Sequence, residues 1–518
     1  MVATSRRFIL KAGTAGLAFS ALPGMVRLAG AQTSAPLLTR YDVASDQGRA
    51  MLRIYAEAVG KMKALPASDP RSWTFQWYTH AIPGEDAAKA KADAITKVFG
   101  SVASPNRELA EAMWYTCQAH LGQPEDYFLP WHRMYVLYLE EIVRALTGRP
   151  EFTLPYWNYT GTGPNDRVLP AEFRKPTDAV WGPLFRERRN PGVNEGKPVD
   201  QGVGRTYLSD GCLSSTLYSD TPSHFVPPIT GFCSNLDSNP HGALHVDVGN
   251  RTEGMGAVPW AADDPVFWVH HSNVDRFWAS WNAAGGANPT IPTFLAKSFV
   301  FANGNGQPVT TVVGDVLSTQ RLGYTYDKLL PRPPGSPAFP PQPAVLPPVP
   351  AISLRAFSQE VTAHTKTAGG AIRLGALPTA VALAAAATKK AAGAKATALF
   401  STQMAADGPG TAYFLQFDDL SAASPTGNGY DIYLDLPLGK LPSREDPSFV
   451  GGINFFNASH AHHGVSTPRS YSLMVTEAVN RLKATGRLTE APSVLLVPTG
   501  DPAAGSEPKV GAVRLIAV

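Results

Sequence analysis

The hydrophobic positions change period along the chain. Between residues 41 and 66, Tyr41, Met51, Leu52, Ile54, Tyr55, Ala58 and Val59 recur at helical spacing, which predicts an amphipathic helix. Glu108 to Tyr115 and Met134 to Leu146 read the same way, and the second run extends back through Arg133 to His132. Glu140, eight residues after His132, falls on the same helical face. Residues 157–235 are rich in Gly, Pro, Ser and Asp and predict loops wrapped around a helical core. Beyond the proline-dense stretch Pro331 to Pro350, expected to be an extended linker, the period shortens. Residues 413–417, 430–436, 493–497 and 513–518 are β-branched and aromatic runs that predict strands. Ala371 to Ala398 is alanine-rich and favours neither pattern. The chain therefore predicts a mainly α region followed by a β-rich C-terminal region.

Two sets of histidines lie in the helical part. His241 and His245 stand four apart in Asn239-Pro240-His241-Gly242-Ala243-Leu244-His245, which puts two imidazoles on one helical face with Cβ atoms roughly 5–6 Å apart. About two dozen residues on, Asp264-Pro265-Val266-Phe267-Trp268-Val269-His270-His271 offers a third nitrogen, and Asp275, one turn later, is placed to orient it. His80, His120 and His132 form the upstream set. Three imidazoles without a thiolate suit copper or zinc, and short helices crossing at their ligands suit a four-helix-bundle metal site.

Each reading has a plainer alternative. Histidines four apart often form only a polar face. His270 could replace His271, and Asp275 and Arg276 could be a surface ion pair. Phe267 reads as core packing and Asn273 as structural. His460, His462 and His463 read as a solvated loop or an accessory copper site, and His224 and His364 as ordinary isolated histidines.

Phe128-Leu129-Pro130-Trp131-His132-Arg133-Met134-Tyr135, the Asn239 to His245 segment and the run from Asp264 to Trp278 together resemble the two copper-binding regions of the type-3 copper family. That family comprises tyrosinases, catechol oxidases and haemocyanins, and the resemblance covers roughly residues 70–290. It implies two copper ions, one held by His80, His120 and His132, the other by His241, His245 and His271. The family signature places the last ligand on His271. The spacing from His120 to His132 is longer than in many relatives, with Gly122 to Asp126 reading as a short inserted loop. The implied architecture is a mainly α catalytic domain with a four-helix-bundle dicopper core, plus a β-rich C-terminal domain.

Further matches refine this expectation. Gly323-Tyr324-Thr325-Tyr326 resembles the element that ends the catalytic domain of plant-type polyphenol oxidases. Phe449 to Phe456 resembles part of their C-terminal domain, which covers the active site. Cys117 lies three residues before His120; some relatives link a cysteine to a ligand histidine, although a small buried thiol is the commoner fate. Three positions bear on substrate. Val258 stands where plant-type enzymes often carry a bulky gate. Gly242 stands where many bacterial tyrosinases have an asparagine, and Asp237 where plant relatives carry a water-holding glutamate. The resemblance then implies oxidation of o-diphenols to o-quinones with O₂, with monophenols the poorer substrates. The alternatives are an o-aminophenol oxidase and a haemocyanin-like O₂-binding protein. A zinc hydrolase is disfavoured, because no glutamate is placed as base between the paired histidines.

Composition is globular: 518 residues, 44% hydrophobic and 17% charged. The formal charge of +3 resides in the N-terminus, where Arg6, Arg7, Lys11 and Arg27 are met by no acid before Gln32. Without them the balance is one negative charge, so neither nucleic acid nor an anionic membrane is an expected partner. Ser5-Arg6-Arg7-Phe8-Ile9-Leu10-Lys11, a weakly apolar run and Ala29-Gly30-Ala31 resemble a twin-arginine export signal with its cleavage site. The expected organisation is a signal peptide over 1–31, a dicopper domain over 32–326, a linker over 327–351 and a shielding domain over 352–518. Expected partners are small phenols, O₂ and, as a candidate, a copper chaperone. A periplasmic or secreted location follows from the signal, with no membrane anchor. Cys212 and Cys233 flank a Ser/Thr/Pro-rich stretch and could pair in an oxidising compartment.

Overall fold

The computed structural model describes residues 37–84, 86–118, 126–202, 205–220, 230–250, 252–340, 371–383, 411–456, 458, 469–489 and 492–517. The signal-like N-terminus, His120, His224, His364, the His460 to His463 cluster and the centre of the proline-rich linker lie outside these residues. Among the described residues no helix is long and apolar enough to cross a membrane.

The N-terminal part is built on helices α1 (Asp46–Ala64), α2 (Trp73–His80), α3 (Ala87–Phe99), α4 (Pro105–Met113), α5 (Phe128–Thr147), α6 (Phe232–Leu236), α7 (Ala243–Val248), α8 (Val258–Ala261), α9 (Val266–Ala283) and α10 (Pro292–Ala296). Local chemistry sets several of their ends. Ser45, Ser72 and Ser104 each cap a helix by accepting a backbone N–H. Gly148, in the left-handed region at φ 69°, stops α5. The helix expected over 41–66 is α1, which turns Leu52, Tyr55, Ala56, Val59 and Met62 inward. Helix α9 is buried on every side from Val266 to Trp278. It is a core helix, so its polar residues, His270 to Asn273, Asp275 and Arg276, are buried along with its apolar ones. Helices α5 and α9 pack together, with α1 against α5.

A buried charge cluster locks these helices to the chain ends of the domain. Strand β1 (Leu38–Arg40) pairs in parallel with β4 (Tyr324–Tyr326). Arg40 thereby reaches Glu140 and Asp275 at 2.9 Å each. Asp275 also accepts from Arg133 and from the hydroxyls of Tyr324 and Tyr326 at 2.6 Å. Burial alone would raise the Asp275 pKa, but Arg133 and Arg40 outweigh it and hold the carboxyl below its ordinary value. One expectation changes here. Asp275 neither braces His271 nor sits at the surface; it is the anion of this core cluster. Glu140, although on the His132 face, is bound to Arg40 and the Leu154 N–H. Both carboxylates thus have arginines, not the histidines, as their charged partners.

The C-terminal part has its own core. Strands β7 (Tyr413–Leu420), β10 (Arg469–Met474) and β13 (Ala512–Ala517) form one sheet in the order β10-β7-β13. Strands β6 (Thr379–Ala382), β8 (Gly429–Leu434), β9 (Phe449–Asn454) and β11 (Ser493–Pro498) form another in the order β6-β11-β8-β9. Leu415, Phe417, Val513 and Leu515 of the first share a buried core with Ile432, Leu434, Val494 and Leu496 of the second. Helix α11 (Thr476–Ala484) adds Val479 and Leu482. All four expected strands are present, each within a residue or two except that β7 runs on to Leu420. The alanine-rich segment contributes β6 near its start.

The two parts meet over polar contacts. Arg444, paired with Asp431, donates to the carbonyls of Asp200 and Arg205. The Gln416 amide donates to Thr230 Oγ1 at 2.7 Å, and Ser472 N donates to Asn235 Oδ1 at 2.8 Å.

Candidate metal centre

Helices α2 and α5 supply one side of the centre. His80 ends α2, where the chain leaves helical geometry at Ala81. His132 lies one turn into α5, and its Nδ1–H donates to the Phe128 carbonyl at 2.8 Å, so that Nε2 faces away from its own helix. Cys117 places Sγ 3.6 Å from His132 Nε2. His80, Cys117 and His132 can bring one ligand atom each to within 4.8 Å of one another. His120, expected to complete this set, lies outside the described residues.

The other side is built on an irregular turn and two helices. The turn Asp237–Gly242 is broken at Asn239 (φ −148°, ψ 122°) ahead of Pro240 and carries His241; α7 carries His245. His241 Nδ1 lies 2.9 Å from Asp237 Oδ1 and 3.1 Å from the Asp237 carbonyl. His245 Nδ1 lies 2.7 Å from the Met255 carbonyl. Carboxylates and carbonyls only accept, so both Nδ1 atoms carry the proton and both Nε2 atoms are left to face a metal. Helix α9 adds His270 and His271. All four histidines bring a nitrogen within 4.8 Å of one another.

The two groups adjoin. His132 and His271 stack at 4.2 Å with ring planes 8° apart. Phe128 lies 4.8 Å from His132 and 4.7 Å from His241. Phe267 lies 4.2 Å from His271 and 4.9 Å from His80. Phe267 is therefore core packing, as expected, with the ligand rings themselves as its neighbours.

The site fits a metal. His271 has no hydrogen-bond partner at either nitrogen, and His270 none at Nε2, although all three atoms are buried. Such orphaned atoms are costly unless something binds them. Burial lowers the pKa of His241 to about 3, and those of His245, His270 and His271 well below the ordinary value. The imidazoles are therefore neutral, the form in which they ligate. His270 Nδ1 is 2.9 Å from the Tyr159 hydroxyl, whereas His271 makes no such bond.

Sequence reasoning did not anticipate what faces this second group. Phe456, just beyond β9, stacks on His245 at 4.4 Å with planes 13° apart. It packs with Val258, Val246 and Ala81, so the space that valine leaves at 258 is filled from the C-terminal part. Arg469 Nη1 lies 3.2 Å from Asp237 Oδ2, and Asn454 Nδ2 donates to the Ser238 carbonyl at 2.8 Å. Asp237 is thus engaged by His241 and Arg469. Gly242 is buried between Asp237 and Phe456. Phe456 lay within a segment whose resemblance was legible, but nothing in its pattern singled out one ring. Tyr159 carried no signal. Cys117, Cys212 and Cys233 are all buried free thiols, so the last two are unpaired. A crevice of about 370 Å³, lined by Arg189, Asn190, Asn250, Thr252, Thr426 and Phe456 among others, runs between the two parts.

Comparison with known proteins agrees with this geometry. The common central domain of tyrosinase matches residues 70–284, and the polyphenol oxidase middle domain matches residues 288–334. A domain of unknown function, DUF7868, matches residues 360–517. A tyrosinase of Hahella sp. (strain CCB-MM4) is 33% identical over 314 residues, covering 55% of this chain and 62% of that one. A chloroplastic polyphenol oxidase of Malus domestica is 28% identical over 293 residues, covering 52% of this chain and 45% of that one. The matched region thus spans about half to three fifths of these relatives. The solved structure of a latent aurone synthase (polyphenol oxidase) superposes with a TM-score of 0.60 at 20% identity, over 94% of this chain and 90% of that one. A latent apple tyrosinase gives 0.57 at 22% identity, over 93% and 98%. The fold is the one these proteins share. Residues 70–334 thus carry the tyrosinase central domain and the polyphenol oxidase middle domain, which support a place in the type-3 copper family.

Proposed function

We propose that this protein uses two copper ions to oxidise o-diphenols to o-quinones with O₂. The observation that carries the reading is the pair of adjoining buried histidine groups, joined by the His132–His271 stack and holding orphaned imidazole nitrogens. His80 and His132, with His120, would hold one copper; His241, His245 and His271 would hold the other. His271 is preferred to His270 because the family signature that the sequence resembles places the last ligand there, and both of its buried nitrogens lack a partner. A bound copper pair would supply the electron exchange with O₂: two diphenols give four electrons and four protons, and one O₂ becomes two waters. The chain's own part is positional. Asp237, Met255 and Phe128 fix the ring tautomers, and Phe267 and Phe128 keep water from the ligand rings.

Substrate preference follows from three positions. Gly242 offers no amide beside His241, and Asp237 is held by His241 and Arg469 rather than standing free to take a phenol proton. Monophenols, which need that proton removed, should therefore react more slowly than o-diphenols. The Gly242→Asn variant should raise the monophenol rate relative to the diphenol rate, by no more than the roughly 10²–10⁴-fold that general-base assistance contributes. Val258 leaves room for the substrate ring once Phe456 is withdrawn. The C-terminal region is then a cover: with Phe456 on His245 the intact chain is slow, and proteolysis within 331–350 or mild detergent should raise its rate several-fold. We also propose export by the twin-arginine route with cleavage after Ala31, which exchange of Arg6 and Arg7 for lysine would abolish.

The deciding experiment is copper content together with oxygen uptake on 4-tert-butylcatechol, o-aminophenol and tyramine. Two coppers per chain and sustained uptake, fastest on the catechol, are expected. One copper per chain, or oxygen binding without turnover, would overturn the reading; a faster rate on o-aminophenol would redefine the substrate.

A further inference from the structure

Gly242 stands directly after His241 in ordinary helical backbone, at φ −61° and ψ −33°. Any L residue adopts that conformation, and glycine is a poor choice within it because it forfeits helix stability to the unfolded chain's freedom. The backbone therefore does not ask for glycine here. Space does. A β carbon on residue 242 would stand 3.0 Å from Asn454 Oδ1, 3.1 Å from the Asp237 carbonyl oxygen and 3.3 Å from Phe456 Cβ. Unstrained carbon contacts lie near 3.5–4.0 Å.

Two of those three neighbours belong to the C-terminal part, and both are tethered. Asn454 donates through Nδ2 to the Ser238 carbonyl and accepts at Oδ1 from Phe456 N at 3.1 Å. The Phe456 ring lies flat on His245. Neither can turn aside without giving up a bond or a stack. A single β carbon asks them to yield by a few tenths of an ångström. A longer side chain needs the volume that Asn454 and Phe456 occupy. Arg469 on Asp237 and Asn454 on Ser238 hold the same turn, so a displacement at 242 disturbs the whole set of contacts at once.

We propose that Gly242 is the docking position for the C-terminal part: a side chain longer than alanine's at 242 and a seated Asn454–Phe456 segment exclude each other. The bare position is what allows the closed state, and filling it opens the centre. The functional consequence rests on the reading of Phe456 as a cover, but the docking itself does not.

The test uses the full chain and reads docking apart from activity. In the copper-free protein, amide hydrogen exchange of the β9 peptide 449–456 is compared for wild type, Gly242→Ala, Gly242→Asn and Phe456→Ala. In the copper-loaded proteins, catechol-dependent oxygen uptake is measured. Gly242→Asn is expected to speed β9 exchange about tenfold or more and to raise diphenol turnover several-fold, with Gly242→Ala shifting both in the same direction by less. Wild-type β9 protection in a folded Gly242→Asn chain would overturn the proposal. Should that variant not fold, Gly242→Ala decides by the same criterion. Phe456→Ala separates the two readings. If it fails to raise turnover, the cover is wrong, while β9 exchange in the Gly242 variants still decides docking. If it raises turnover and the Gly242 variants leave β9 protected, only the docking role fails.

Discussion

The two halves of the histidine centre are held in different ways. The first, His80 and His132, hangs from regular helices deep in the core, and the proton on His132 Nδ1 is fixed by a main-chain carbonyl, that of Phe128. The second rests on the broken turn Asp237–Gly242; His245 is fixed by the Met255 carbonyl, but His241 has a side-chain carboxylate beside the Asp237 carbonyl. That carboxylate is itself held by Arg469, from a strand more than 200 residues further along the chain. Every described contact that the C-terminal part makes with the ligand rings falls on this second half, through Phe456. A main-chain partner cannot be lost by mutation or displaced by a moving domain. A side-chain partner can be both. Among the described residues, then, the second side is the one with a side-chain tether reached from the C-terminal part.

The largest effects should show the sides to be equally necessary. His132→Ala and His271→Ala should each reduce oxygen uptake on catechol to background, and the copper-to-chain ratio should fall from two towards one. If either variant kept its turnover, the assignment of that ring as a ligand would be wrong.

The asymmetry should appear one step out from the ligands. Asp237→Asn removes the negative charge beside His241 Nδ1 but leaves the main-chain carbonyl, and should weaken one copper by no more than the roughly 10–100-fold that full loss of such a partner typically costs. Copper titration should then resolve one weak and one unchanged site. No side-chain substitution can do the same to His132, because Phe128→Leu keeps the carbonyl. Two sites weakened equally by Asp237→Asn would remove the distinction.

Cys117 is special to the first side. Burial raises its thiol well above the ordinary pKa, so it is protonated and poorly nucleophilic. Thiol titration should find three cysteines after denaturation and none before, and Cys117→Ala should alter turnover only a few-fold. A missing third thiol in the copper-loaded protein would mean that Cys117 has become bonded to a neighbour.

The smallest effect concerns the seam between the two parts. Burial, reinforced by Asp126 and by Asp418 of β7, pushes the Asp220 carboxyl up to about 7. An acid whose folded pKa is raised holds its proton longer in the folded than in the unfolded chain. Its contribution to stability is therefore greatest at low pH and is lost as pH rises from about 4 through about 7. The melting temperature should drop modestly over that range, and Asp220→Asn should flatten the slope. An unchanged slope would show that Asp220 titrates normally.

Much of the core was legible because its signals are local. The periodic run through Tyr55 and Val59 became α1, and the apolar runs beyond residue 410 became strands with a shared core. The four-residue spacing of His241 and His245 and the His270-His271 pair both arrived at one cluster. The misplaced residues were those whose partners lie far away in sequence. Asp275 sits one turn after His271 and looked like its brace, but Arg40 and Arg133 claim it. Asp237 stands where plant relatives carry a water-holding glutamate, and its two oxygens face His241 and, from far along the chain, Arg469. A carboxylate goes to whichever cation or N–H donor the fold brings closest, and residue spacing cannot rank donors on other elements.

The sequence alone determined the ligand chemistry, the helical core and the strand-rich tail, because each depends on residue type and on separations of a few positions. Only the tertiary structure decided which ring stacks on His245, which half of the centre it touches, and what surrounds residue 242. Those answers depend on Asn454, Phe456 and Arg469 being folded back across more than 200 residues onto one turn. That return is set by polar contacts and the Phe456 packing across the seam between the two parts, a long-range arrangement that no local pattern encodes.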